Sequence, residues 1–177
     1  MKIAYTMTEG KGDLDQILYT FAMAEIAKGA KLAGVVQVNS DREDCALCDM
    51  DVQVLPDGPT IRISQFLGRD AKGCRLDPAA LEQAVREVET RLSGDTALLV
   101  LNKFGKHEAG GRGFRPMIAQ AMTLDIPVVC GVNALNLEAF QEFCGGTAEL
   151  VPPTAEALSA WTANALARET APASDPE

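Results

Sequence analysis

The sequence holds a single histidine among 177 residues and no Gly-x-Ser-x-Gly turn. A nucleophilic triad would rest on one candidate base with no nucleophile elbow to serve, so that reading fails early. Paired-carboxylate hydrolysis has no supporting cluster either. No apolar run approaches the roughly 20 residues needed to span a bilayer. Met1-Lys2 leads straight into a short apolar segment and Thr6, without the apolar core or small-residue cleavage site of a leader, so the expected location is the cytoplasm. Positive charge is in deficit: 16 Lys and Arg against 25 Asp and Glu give a formal net charge of −9. That balance opposes nucleic acid and anionic membranes as partners, and leaves room only for a local basic patch that takes a small anion. The five cysteines are an odd number. With no export signal, free thiols or metal ligands are the readings to weigh rather than a disulfide framework.

What is present is 47% hydrophobic residues at a mean hydropathy of +0.01, enough chain and apolar content for one sizeable core. The expected organisation is a single α/β domain over 1–168 and a disordered, Pro-, Ala- and Ser-rich acidic tail over 169–177. Lys2 to Thr6 reads as a short strand. The loop Met7 to Gly12 follows, then Asp13 as an N-cap and a helix to about Gly29 that buries Leu14, Ile17, Leu18, Phe21 and Ala22. Leu32 to Val38 is a second strand. Val52 and Val54, then Ile61 and Ile63, alternate with polar residues across Pro56-Asp57-Gly58-Pro59, a hairpin placed at a sheet edge or as a flap. Asp77-Pro78 opens a helix with the stripe Leu81, Val85, Val88 and Leu92. Ala97 to Leu101 is a buried strand ending in Asn102-Lys103. A helix is expected from about Gly113 to Thr123, a strand over Ile126 to Gly131, a short helix over Leu137 to Phe143 and a last strand at Leu150-Val151. Thr154 caps the final helix. This order predicts a three-layer sandwich with a mostly parallel sheet, whose ligands sit at the carboxyl ends of the strands.

Four stretches are candidates for chemistry. Gly10-Lys11-Gly12-Asp13 follows a strand and opens a helix, the layout of a phosphate-binding loop. The pattern G-x-x-x-x-G-K-[ST] is absent, and Asp13 puts negative charge where a phosphate would sit. At the end of the Ala97 strand, Asn102, Lys103, Lys106, Arg112 and Arg115 either surround an anion, with Gly110-Gly111 letting backbone approach, or are solvated. Asn102-Lys103 also matches part of the base-reading motif of GTP-binding proteins, but Gly105 stands where that motif needs an aspartate. Between Ser64 and Asp77, Arg69, Lys72 and Arg75 flank two glycines and Cys74 before a helix start, a second basic loop that is either ligand-contacting or an ordinary polar loop. Cys45-x-x-Cys48, with Cys74 as a third ligand and His107 or Asp49 as a fourth, is a candidate metal set. Cys130 and Cys144 read as packing residues.

The runs Ile63-Ser64-Gln65, Gly73-Cys74-Arg75-Leu76-Asp77 and Leu101-Asn102-Lys103-Phe104-Gly105-Lys106, with Glu108 and Gly110-Gly111-Arg112-Gly113-Phe114, together resemble an uncharacterised bacterial domain-of-unknown-function family. The resemblance covers nearly the whole chain up to the tail. That family is in turn similar to the small P-loop nucleoside triphosphatases, in which the corresponding strand ends in Asp-Glu-Ile-Gly-Lys. Here the run is Asn102-Lys103-Phe104-Gly105-Lys106, with both acids replaced. The resemblance implies a P-loop-like α/β fold with degenerate nucleotide motifs and an inserted β-hairpin. Through an association with molybdate-uptake genes it also implies molybdate among the candidate ligands.

The expected function is binding of a small anionic ligand (a nucleotide, a phosphometabolite or an oxyanion such as molybdate) without hydrolysis. Gly10, Lys11, Gly12, Arg69, Lys72, Arg75, Asn102, Lys103, Lys106 and Arg112 are its candidate contacts. The alternatives are a nucleoside triphosphatase with an atypical site, a metal-binding protein using Cys45, Cys48 and Cys74, and a protein partner or homo-oligomer as the main ligand.

Overall fold

The computed structural model describes residues 2–10, 13–40, 49–65 and 76–167. Its strands are β1 (Ile3–Thr6), β2 (Leu32–Ser40), β3 (Asp49–Val54), β4 (Thr60–Arg62), β5 (Leu98–Phe104), β6 (Val128–Val132) and β7 (Glu149–Leu150). Its helices are α1 (Asp13–Ala27), α2 (Pro78–Glu89), α3 (Lys106–Ala109), α4 (Arg115–Thr123), α5 (Leu137–Phe143) and α6 (Ala155–Ala167). The strands form one sheet in the order β4-β3-β2-β5-β6-β1-β7. Pairing is parallel from β2 through β7, and antiparallel where β3 and β4 extend the sheet beyond β2.

β1 and β6 are buried at every position and β5 at all but Lys103, because helices cover both faces of the sheet and each strand must be apolar on both sides. The alternation of a strand then sorts its side chains between two cores. Leu98, Val100, Ala4 and Val129 pack with Leu14, Leu18 and Phe21 of α1 and Leu158 of α6. Leu99, Leu101, Tyr5 and Cys130 pack on the opposite face with α2, α4 and Phe140 of α5. These are the expected three layers.

The hairpin is part of the sheet edge, so the flap alternative falls away. Gly34 is what lets β2 lie close to β5 there. Its φ is +117°, and a Cβ in its place would stand 1.8 Å from the Val100 carbonyl oxygen. Asp77 caps α2 as expected, accepting from the amides of Ala79 and Ala80.

Several boundaries differ from the sequence reading. Helix α1 ends at Ala27, two residues before Gly29. Asp13 is its first helical residue rather than a residue outside it. Helix α4 starts at Arg115, because Gly113 (φ +59°) still belongs to the preceding turn. The loop after β5 carries a one-turn helix, α3, that apolar periodicity does not reveal. Strand β5 runs on to Phe104, and β6 ends at Val132 rather than Gly131. The last strand is Glu149–Leu150, one residue earlier than expected. Residues 169–177, the expected tail, lie outside the described residues.

Candidate functional site

The carboxyl ends of β1, β6 and β5 are aligned by the sheet register. Thr6 pairs with Gly131, and Gly131 with Asn102. In-register neighbours point to the same face, here the α1 face. Gly131 is the middle of the row because α1 presses on it: a Cβ there would be 2.8 Å from Leu18 Cδ1 and 3.1 Å from Leu14 Cδ2. One turn of α1 thus sits directly over the sheet and lowers Asp15 against β5. Asp15 is 6% exposed. Its Oδ1 accepts from Asn102 Nδ2 at 2.9 Å and lies 3.9 Å from Lys103 Nζ. Asn102 is 4% exposed. Its Oδ1, and Thr6 Oγ1 at the other end of the row, have no hydrogen-bond partner among the described residues.

Lys103 is the extra residue of an irregularity in β5. Asn102 and Phe104 oppose the consecutive residues Gly131 and Val132, so Lys103 is left out of the ladder, as in a β-bulge. Phe104 then takes the core side that Leu101 also faces, packing edge-on to Phe140 at 5.1 Å. Lys103 is freed from the sheet and half exposed.

After β5 the chain turns through α3 around a buried carboxylate. Glu108, 4% exposed, accepts from the amide of Gly105 at 2.9 Å and from that of Phe114 at 3.1 Å. Gly113 allows this close approach, since a Cβ there would lie 2.1 Å from Glu108 Oε1. Arg115 donates to the Glu108 and Ala109 carbonyls and stacks on Phe143 at 4.6 Å. It therefore braces the turn, and it stands apart from the cations grouped with it in the sequence reading.

These elements enclose a cavity of about 820 Å³ at the carboxyl ends of β2, β5 and β6. Asn102, Lys103, Lys106, His107 and Arg112 line it from β5 and the α3 turn, Asn133 and Asn136 from the segment after β6, and Met50, Val52, Ile63, Leu76 and Leu81 from the hairpin and α2. Lys106 and Arg112 are exposed and have no acidic partner among the described residues. Five other basic residues, Lys2, Lys28, Lys31, Arg62 and Arg91, each pair with an acid, and exposed Arg86 of α2 has no acidic partner among the described residues. In a chain with excess acid, two cations left without partners at one cavity make a local positive rim.

Of the candidate contacts, the structure brings Asn102, Lys103, Lys106 and Arg112 to this cavity. Gly10 lies outside it, with the Asp13 carboxylate folded against its Cα so closely that a Cβ would stand 2.0 Å from Asp13 Oδ2. Lys11, Gly12, Arg69, Lys72, Arg75, Cys45, Cys48 and Cys74 lie outside the described residues. Among the described residues no group of three or more His, Cys, Asp or Glu side chains could hold a metal ion. Burial pushes the Cys144 thiol up to about 11 and raises that of Cys130 further, in keeping with packing roles. No helix among the described residues is long and apolar enough to cross a membrane.

The strand bearing Asn102 is not the neighbour of β1; β6 lies between them. It is α1, not the sheet, that joins the β1 side to Asn102. Sequence reasoning missed Asp15, and it named Glu108 only within the family resemblance, without a role. Asp15 falls at helical spacing with Leu18 and Ala22, so a charge inside the buried stripe was the available signal. For Glu108 it was the three-residue interval from Gly105, the spacing of a capping box.

A family model described as "Protein of unknown function (DUF2478)" matches residues 3–161. The "Molybdenum import ATP-binding protein ModC 2" of Bradyrhizobium diazoefficiens is 35% identical over 162 residues, covering 90% of this chain and 18% of that protein. The chain thus spans about a fifth of that relative's length. The solution structure of a human cancer-related nucleoside triphosphatase superposes with a TM-score of 0.62 at 13% identity, covering 98% of this chain and all of that one. The crystal structure of THEP1 from the hyperthermophile Aquifex aeolicus gives 0.53 at 19% identity, covering 97% and 100%. At these identities the two structures show the fold alone: a P-loop nucleoside-triphosphatase-like α/β sandwich.

Proposed function

The chain belongs to the DUF2478 family, and we propose that it binds a small organic anion, a nucleotide or phosphorylated metabolite, without hydrolysing it. The observation that carries this reading is the end of β5. Magnesium takes oxygen ligands in octahedral geometry, and phosphoryl transfer on this fold relies on an acid to hold it. Here an amide and an ammonium stand at the strand end, and the buried carboxylate beside them, Asp15, already holds the amide and faces the ammonium. Glu108 is committed to two backbone amides. The described donor set therefore does not fit a magnesium ion. It does fit a ligand anion, with Lys103, Lys106 and Arg112 supplying the charge that a metal would otherwise supply.

The cavity volume favours an organic ligand, since sites of this size suit molecules far larger than a five-atom oxyanion. Molybdate is the second reading, favoured by the name of the 35% identical relative. Thermal denaturation with AMP, ATP, ribose 5-phosphate and molybdate, with and without magnesium, separates the two. A ligand at about 100 times its Kd adds roughly 2.7 kcal/mol, or about 5–10 °C for a chain of this size. We expect that rise with an organic phosphate, with no magnesium requirement, and a loss of about tenfold in affinity in Lys103→Ala. A rise with molybdate alone selects the second reading. Magnesium-dependent phosphate release abolished by Lys103→Ala overturns non-hydrolysis, and no rise with any anion overturns anion binding.

A further inference from the structure

The cavity's far wall is more apolar than a site for a bare anion requires. Met50 and Val52 of β3, Ile63 just past β4 and Leu76 before α2 form it. A wall contributed by an edge hairpin is useful to a ligand only if it is fixed, and this one is. The Met50 amide donates to Ser64 Oγ at 3.0 Å, the Ile63 amide to the Met50 carbonyl at 2.8 Å, and the Asp77 amide to the Ile63 carbonyl at 2.7 Å. Gln65 Nε2 donates to the Leu76 carbonyl at 3.0 Å. The apolar surface is thus held in place across the cavity by hydrogen bonds.

The same cavity carries polar edges apart from its cations. On the segment after β6, Asn133 Oδ1 accepts from the Asn136 amide and from Asn136 Nδ2. That bond orients both carboxamides, leaving Asn133 Nδ2 as a donor and Asn136 Oδ1 as an acceptor. A plain alkyl chain filling the space would desolvate these groups and return no hydrogen bonds, at a cost for each. A body that is apolar on its faces and hydrogen-bonding at its edge meets both demands.

We infer that the cavity takes an anion whose uncharged part is a heteroaromatic ring, packed on the hairpin wall and read at its edge by side-chain amides. Its charge lies toward Lys103, Lys106 and Arg112. The inference rests on the anion-binding reading of this cavity and names the ligand class within it.

Isothermal titration of the full chain with inorganic phosphate, ribose 5-phosphate and AMP tests it. AMP should bind at least tenfold more tightly than ribose 5-phosphate, about 1.4 kcal/mol, and inorganic phosphate most weakly. Met50→Ser should lower the affinity for AMP more than that for ribose 5-phosphate, and Asn136→Ala should do the same. A circular-dichroism melt of each variant checks that it is folded. Equal affinity for AMP and ribose 5-phosphate, or variants that weaken both alike, overturns the ring inference and leaves anion binding standing. No binding by any of the three, with Lys103→Ala indistinguishable from the parent, removes the anion-binding reading and this inference with it.

Discussion

Replacing Glu108 by alanine tests how the α3 turn is held. The carboxylate is almost fully buried and is the sole acceptor described for the amides of Gly105 and Phe114. Hydrogen bonds to a charged group contribute about 1.5–3 kcal/mol each, and an amide left buried without a partner costs a similar amount. Two such bonds put the loss at about 3–6 kcal/mol. Phe114 is buried and stays at the upper part of that range, whereas Gly105 is half exposed and water recovers part of its bond. We expect about 3–4 kcal/mol, equivalent to a fall in Tm of roughly 6–16 °C for a chain of this length. Glu108→Gln keeps one accepting oxygen but turns an NH2 toward the other amide, so about half the loss should remain. Urea denaturation followed by circular dichroism measures both variants. The turn also carries Lys106, His107 and Arg112, so AMP affinity should fall in parallel. A Glu108→Ala protein within about 0.5 kcal/mol of the parent would refute the assignment of Glu108 as the staple of this turn.

Gly34→Ala should cost about 3 kcal/mol or more, combining a left-handed φ with contact against a backbone carbonyl that cannot rotate away; an unchanged urea midpoint would contradict the close β2–β5 approach. Asp95 is held at about 2, below its ordinary 3.8, by hydrogen bonds from the Lys31 ammonium and the Ser93 hydroxyl. A carboxyl lowered on folding adds stability that is complete above the unfolded pKa and is lost as pH falls through the folded one. Asp95→Asn should therefore flatten the dependence of the denaturation midpoint on pH between about 4 and 2, and identical slopes for parent and variant would show that the pair does not form in solution.

The layers were legible because the strand signal is strong where both faces are covered. Five apolar residues in a row at Ala97 to Leu101 can satisfy only a buried strand or helix, and the short length decides for the strand. The hairpin was legible from its alternation and its Pro-Asp-Gly-Pro turn. What was not legible depends on contacts between distant residues. Asn102 and Asp15 are separated by 87 positions, and nothing local to either shows that Gly131 lets α1 descend far enough to join them. Strand order is a second case: β6 sits between β1 and β5 although it follows β5 in sequence. Helix α3 is four residues long and has one buried residue, Glu108, so it carries no apolar period to detect.

The distribution of charge favours a binding site over a decayed one. In a chain of net charge −9, loss of function without replacement would leave the old site no more basic than the rest of the surface. Instead, five of the described lysines and arginines elsewhere are paired with acids and Arg86 of α2 stands alone, while Lys106 and Arg112 stand together at the cavity without an acidic partner among the described residues. Lys103, the cation nearest the sheet, is offset by Asp15 at 3.9 Å. Asp15 also fixes the Asn102 amide, so it cannot leave with Lys103 when a ligand arrives. An incoming anion must share Lys103 with a carboxylate that stays in place. That contest weakens binding of a dianion at Lys103 relative to the two rim cations. Arg112 should therefore contribute more to affinity than its exposure suggests, and the ligand's charge should lie nearer the rim than the sheet. The apolar hairpin wall is then left to the uncharged part of the ligand.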